Sequence, residues 1–110
     1  PNDPYAAVRA ARAAIRLNQL DLAEQWWDRA VRDDPFGATV LTEAADFYAK
    51  TGSEERALEL LAAFERLGSG NLRAWKVAGE VFAFLGNVEA VDRVAACGMA
   101  GQVGCWAVGN

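Results

Sequence analysis

A chain of 110 residues, 53% of them hydrophobic and 24% charged, is long enough to bury one core and too apolar for a disordered segment. Its net charge of −4, with Lys and Arg scattered among acids, lacks the basic stripe that nucleic acid or an anionic membrane surface demands. No apolar stretch reaches the roughly 18 uninterrupted residues of a membrane-spanning helix, so no membrane insertion is expected.

The punctuation of the chain predicts six helices. Asp3 caps the first, which carries Pro4 at its opening position, where a missing N–H costs nothing. Asn18-Gln19 interrupts the pattern, and Asp21 places negative charge at the start of a second helix. That helix runs through Trp27 and Ala30 to Asp33-Asp34-Pro35, where proline cannot continue it. A third covers about Gly37 to Lys50 and ends at Gly52, since glycine takes the left-handed cap conformation cheaply. Ser53 is expected to cap the fourth, with Glu54 and Glu55 in its first turn. Gly68-Ser69-Gly70 breaks the chain, Asn71 caps the fifth, Gly86-Asn87 turns again, and a sixth runs to about Cys97. Short turns between helices of this length make antiparallel hairpins.

Sliding the chain on itself by 34 positions brings like residues together. Ala7 meets Leu41 and Trp75; Ala10 meets Ala44 and Ala78; Ala11 meets Ala45 and Gly79; Ala14 meets Tyr48 and Phe82. Further on, Ala23, Ala57 and Val91 correspond, then Trp27, Leu61 and Ala95, while Asn18, Gly52 and Gly86 share one turn position. Three repeats follow, at about 4–35, 38–69 and 72–100, within a single domain over 1–110. Residues 101–110 read as a tail or the start of a further repeat, and the chain as a piece of a longer protein. Ala44, Ala45, Tyr48, Leu61, Phe64, Trp75, Ala78 and Phe82 are the expected core.

These residues resemble the tetratricopeptide repeats, whose pattern is Trp, Leu-Gly and Tyr on the first helix and Ala, Phe, Ala and Pro on the second. The third repeat carries Trp75, Ala78-Gly79 and Phe82; the first carries Ala23, Trp27, Ala30 and Pro35; the second supplies Leu41, Ala44-Ala45, Tyr48, Ala57 and Phe64. No repeat is complete, and Ser69 stands where a closing proline belongs. The resemblance implies an all-α fold, a right-handed superhelix of three helix-turn-helix repeats. In it, small residues (Ala10, Ala11, Ala44, Ala45, Ala78, Gly79) sit where paired helices approach, and Tyr48 and Phe82 fill the space between hairpins.

The resemblance also implies function, a scaffold that binds another protein through a concave groove lined by the first helix of each hairpin. Its groove positions would be Tyr5, Val8, Arg9, Arg12 and Arg16 in the first copy. Thr42, Glu43, Asp46 and Lys50 would follow in the second, and Arg73, Lys76, Val77, Glu80 and Phe84 in the third. Both signs of charge suit a partner segment of mixed charge, although an exposed helical face is polar in any soluble protein. Asp46 and Glu80, at positions where chaperone-binding relatives clamp a terminal carboxylate, speak against that use. The rival reading is a spacer or oligomerisation segment, with self-association through the apolar end around Trp106.

Catalysis has little to stand on. Histidine is absent, which removes the commonest general base and metal ligand. Glu43, Asp46 and Glu80 share the inner face, but no nucleophile or Gly-rich phosphate loop accompanies them. Neither cofactor nor metal is expected. The adjacent Trp26-Trp27 reads as core plus partly covered surface. Cys97 and Cys105 are either buried thiols or, in an oxidising compartment, a bridge closed by a reversal over Gly98–Gly104. The chain opens on Pro1 without a charged-then-apolar leader, so any targeting segment is expected to be removed or to lie outside it. Its Ala- and Arg-rich composition suggests a bacterial source. More loosely, it resembles the periplasmic repeat scaffolds of Pel- or cellulose-type exopolysaccharide export.

Overall fold

The computed structural model describes the backbone of residues 3–99 and the side chains of residues 3 and 5–96. The helices are α1 (Pro4–Arg16), α2 (Leu20–Asp33), α3 (Ala38–Lys50), α4 (Glu54–Leu67), α5 (Leu72–Phe84) and α6 (Val88–Met99). No strand occurs among the described residues. The fold is all-α, a tetratricopeptide-like solenoid of three hairpins. The side chains of Cys97 and Cys105, whether buried thiols or a bridge, the tail at 101–110 and Trp106 lie outside the described residues.

Local chemistry explains the boundaries. The Asp3 carboxylate accepts a hydrogen bond from the Tyr5 N–H at 2.9 Å, and the Asn71 side chain accepts from the Ala74 N–H at 3.0 Å. Asn87, which the sequence assigned only to a turn, caps α6 by accepting from the Ala90 N–H at 3.1 Å. Ser53 departs from expectation and makes no capping bond. Its ψ of 64° falls short of the extended backbone that aims a capping oxygen at the first turn. The start of α4 rests instead on Glu54 and Glu55, placed at the positive end of the helix dipole. The three register mates between paired helices, Asn18, Gly52 and Gly86, have φ of 59°, 92° and 78°, so each hairpin turns through one left-handed residue.

The paired helices pack most extensively within each hairpin; between hairpins, α2 meets α3 and α3 meets α5. All eight expected core residues are buried. Ala10 is only half-buried, unlike its register mates Ala44 and Ala78. Trp27 is buried and Trp26 half-buried. Phe64 of α4 meets Trp75 of α5 edge to face, with ring centroids 4.6 Å apart. Such a pair adds about 0.5–1.5 kcal/mol beyond its buried area. The Trp75 indole N–H donates to the Ser69 carbonyl at 2.6 Å, so the residue replacing the usual proline anchors the turn to the core.

A recurrent clasp joins successive hairpins. The Arg56 guanidinium lies 5.7 Å from the Tyr48 ring centre and reaches Asp28 of α2 at 3.9 Å, while the Tyr48 hydroxyl donates to Asp28. One repeat on, Arg93 lies 5.8 Å from the Phe82 ring centre and forks onto Glu65 of α4 at 2.9 and 3.1 Å. In both places a cation on the second helix lies over an aromatic residue of the first and faces an acid of the preceding hairpin, Arg93 through a hydrogen-bonded fork and Arg56 through a looser ion pair.

Candidate functional site

The side-by-side packing of α3 and α5 leaves a concavity of about 210 Å³ between the first helices of the second and third hairpins. From α3 it is lined by Thr39, Thr42, Glu43, Asp46 and Lys50, and from α5 by Arg73, Ala74, Val77 and Glu80. Those positions recur at three- and four-residue steps, the spacing of one helix face. Seven expected groove residues are thereby brought together: Thr42, Glu43, Asp46, Lys50, Arg73, Val77 and Glu80.

Others fall elsewhere. Lys76 lines a second groove on the α5–α6 side, and Glu80 borders both. Tyr5, Arg9, Arg12 and Arg16 are exposed on α1 and do not line the concavity; Arg9 pairs with Asp3 at 3.5 Å. Phe84 is 58% exposed and lies outside the lining. Two positions are corrected outright. Val8 is 0% exposed and belongs to the core with Ala7 and Ala11. Thr42 is 1% exposed, its hydroxyl donating to the Ala38 carbonyl at 2.9 Å. Because α5 packs directly on α3, the row of Thr42 forms the floor of the groove rather than a contact face.

The floor carries both charges, partly neutralised. Arg12 reaches across from α1, its Nε donating to Glu43 Oε1 at 2.9 Å and its Nη2 to Oε2. That hydrogen bond raises the Arg12 pKa above its already high ordinary value, so the cation is permanent. Lys50 pairs with Asp46 one turn earlier on α3 at 3.1 Å. Arg73 and Glu80 make no ion pair among the described residues. Asp46 is half-exposed and Glu80 exposed. Glu43 and Asp46, two of the three carboxylates on this face, are thus held in ion pairs. No His, Cys, Asp or Glu cluster able to hold a metal occurs among the described residues.

The Arg12–Glu43 pair escaped the sequence reading, although a signal existed. Arg12 is the register mate of Asp46, and Glu43 precedes Asp46 by one helical turn, so neighbouring parallel helices place the two side by side.

No protein-family model matches the chain. It is 37% identical over 62 residues, 56% of its length, to interferon-induced protein with tetratricopeptide repeats 2 of Cricetulus griseus. The match spans 13% of that relative's length. This similarity supports the tetratricopeptide reading of the hairpins. It lends no support to a bacterial source or to exopolysaccharide export.

Proposed function

We propose that this domain is a protein-interaction scaffold, and that the α3–α5 groove receives a segment of a partner protein. The observation that carries the reading is the gathering of Glu43, Asp46, Lys50, Arg73 and Glu80 from two hairpins around one concavity. Glu80 and Asp46 favour a basic partner side chain at mid-groove. Arg73, at the start of α5, and Lys50, at the end of α3, favour acidic flanks, and such an order fixes register. A place in bacterial secretion or exopolysaccharide export gains nothing from the relative and is not part of the proposal.

The test uses peptides of mixed charge selected against the domain. Asp46→Lys and Glu80→Lys should each weaken binding about tenfold, equivalent to about 1.4 kcal/mol. Their stabilities should move by no more than about 0.5 kcal/mol. The losses should shrink at high salt, since exposed charges are screened within about 10 Å at 0.1 M. Arg32→Glu and Glu59→Lys, exposed on the second helices, serve as controls and should bind as the parent does. Binding abolished by the controls and untouched by the groove variants would refute the proposal.

A spacer or oligomerisation role is the second reading. What favours it is the apolar groove bordered by Leu72, Trp75, Val91 and Val94 on α5 and α6.

A further inference from the structure

The second hairpin has a neighbour on both sides, since α2 packs on α3 and α3 on α5. The first and third hairpins each have one described neighbour, and the repeat register shows which faces this leaves bare. On the third, a groove of about 680 Å³ is bordered by Trp75, Gly79, Glu80, Val91, Val94 and Ala95 among others. Thr42, Ala49 and Leu61 of the second hairpin are buried, yet their mates Lys76, Ala83 and Ala95 are exposed. The first hairpin shows the converse. Val40, Ala44 and Phe47 of α3 are buried, as are their mates Ala74, Ala78 and Val81 of α5, whereas Ala6 of α1 is exposed and Ala10 and Ala13 are half-buried. These three alanines follow three- and four-residue steps down one face of α1.

We infer that these two faces join between copies of this chain, so that α1 of one molecule covers α5 of another as α5 covers α3. Shape gives the first reason: α1 is the register equivalent of the covering helix, and its bare face is the one that α3 and α5 bury. Charge gives the second. At the first junction Arg12 forks onto Glu43 of the next hairpin. At the second, the same two register positions hold Asp46 and Val77, which line one concavity. At a junction between copies they hold Glu80 of one molecule and Arg9 of the other, an ion pair of the first kind with its signs exchanged. Neither is firmly engaged within the chain. Glu80 makes no ion pair among the described residues, and Arg9 meets Asp3 at 3.5 Å with both side chains more than half exposed. The register positions of Asp28 and Arg56, which meet at the first junction, become Ala96 and Leu22. Both are exposed, and burying an apolar pair there is favourable. Because the two faces differ, the contact is heterologous and continues from copy to copy. The inference rests on the oligomerisation reading and is independent of a ligand in the α3–α5 groove, whose lining does not include Arg9.

Sedimentation of the full chain at low salt and rising concentration supplies the test, and species larger than a dimer are expected. Arg9→Glu and Glu80→Arg should each weaken self-association about tenfold, a ratio equivalent to about 1.4 kcal/mol. An equimolar mixture of the two variants should associate as the parent does, because every junction between unlike molecules again joins opposite charges. A variant that merely misfolds cannot be rescued by mixing. Association that is unchanged by Arg9→Glu would overturn this junction and leave oligomerisation standing through another surface. A mixture that associates no better than its components would also overturn the junction. A chain that stays monomeric at every concentration would remove the junction and the oligomerisation reading together.

Discussion

The sharpest test of the repeat register compares glycines that are chemically alike and conformationally different. Gly79 lies inside α5 and is not among the residues with positive φ. A Cβ added there would meet its nearest neighbour, Val94 Cγ1, at 3.7 Å, an ordinary van der Waals distance. Replacing it by alanine should therefore remove the entropic penalty of a mid-helix glycine without strain, a gain of about 0.5–1 kcal/mol. For a domain of this size that raises the melting temperature by roughly 2–8 °C. Gly52 also has open space around its missing Cβ, but its φ is +92°. Gly52→Ala should cost about 1 kcal/mol, because the left-handed backbone itself strains an L-residue. Asn18, at φ 59°, already bears a side chain in the same turn position, so Asn18→Gly should be neutral or mildly stabilising. Thermal and urea denaturation followed by helical circular dichroism measure all three. A destabilised Gly79→Ala, or a stabilised Gly52→Ala, would refute the assignment of which small residues serve packing and which serve the turns.

Ala45 is fully buried in α3 at the position equivalent to Gly79, so Ala45→Leu should overpack the core and cost about 1–3 kcal/mol by urea denaturation; an unchanged midpoint would contradict it. Burial first, then the hydrogen bond to Asp28, holds the Tyr48 phenol above its ordinary pKa. That contribution is complete below about pH 10, where the unfolded tyrosine is still protonated, and is lost as pH rises beyond it. Urea midpoints taken from about pH 9 to about pH 11 should fall more steeply for the parent than for Tyr48→Phe, and parallel curves would remove Tyr48 as the cause.

Much of this architecture is legible in the chain because its signals are local. Asp3 and Asn71 cap helices through bonds to their own first turns, and Asn18, Gly52 and Gly86 mark turns by a backbone conformation that few residues adopt. The eight core positions follow from periodicity, since burial of one helix face is what the spacing encodes. What stayed hidden depends on distances between helices. Register names the face carrying Thr42 but not how closely α5 approaches it, and that approach makes Thr42 a floor. Val8 was assigned to the groove by analogy with polar positions, yet its apolar side chain joins the core. Ser53 shows the limit of local signals, because the residue type suits a cap but its backbone angles do not.

The two ion pairs on the groove floor differ in a way that bears on where a partner would engage. Arg12 forks onto Glu43 from a neighbouring hairpin, a planar two-point contact that also ties α1 to α3, and an incoming cation would have to break both bonds. Lys50 and Asp46 sit one turn apart on a single helix, and such exposed pairs are worth only about 0.3–0.5 kcal/mol. A basic side chain arriving from a partner can therefore displace Lys50 at little cost, and in doing so it gains Glu80 from the facing helix. On the proposed reading Glu43 is a structural acid, and Asp46 with Glu80 would form the recognition point. The sequence offered these three carboxylates as equals. The geometry separates them by what already holds each one.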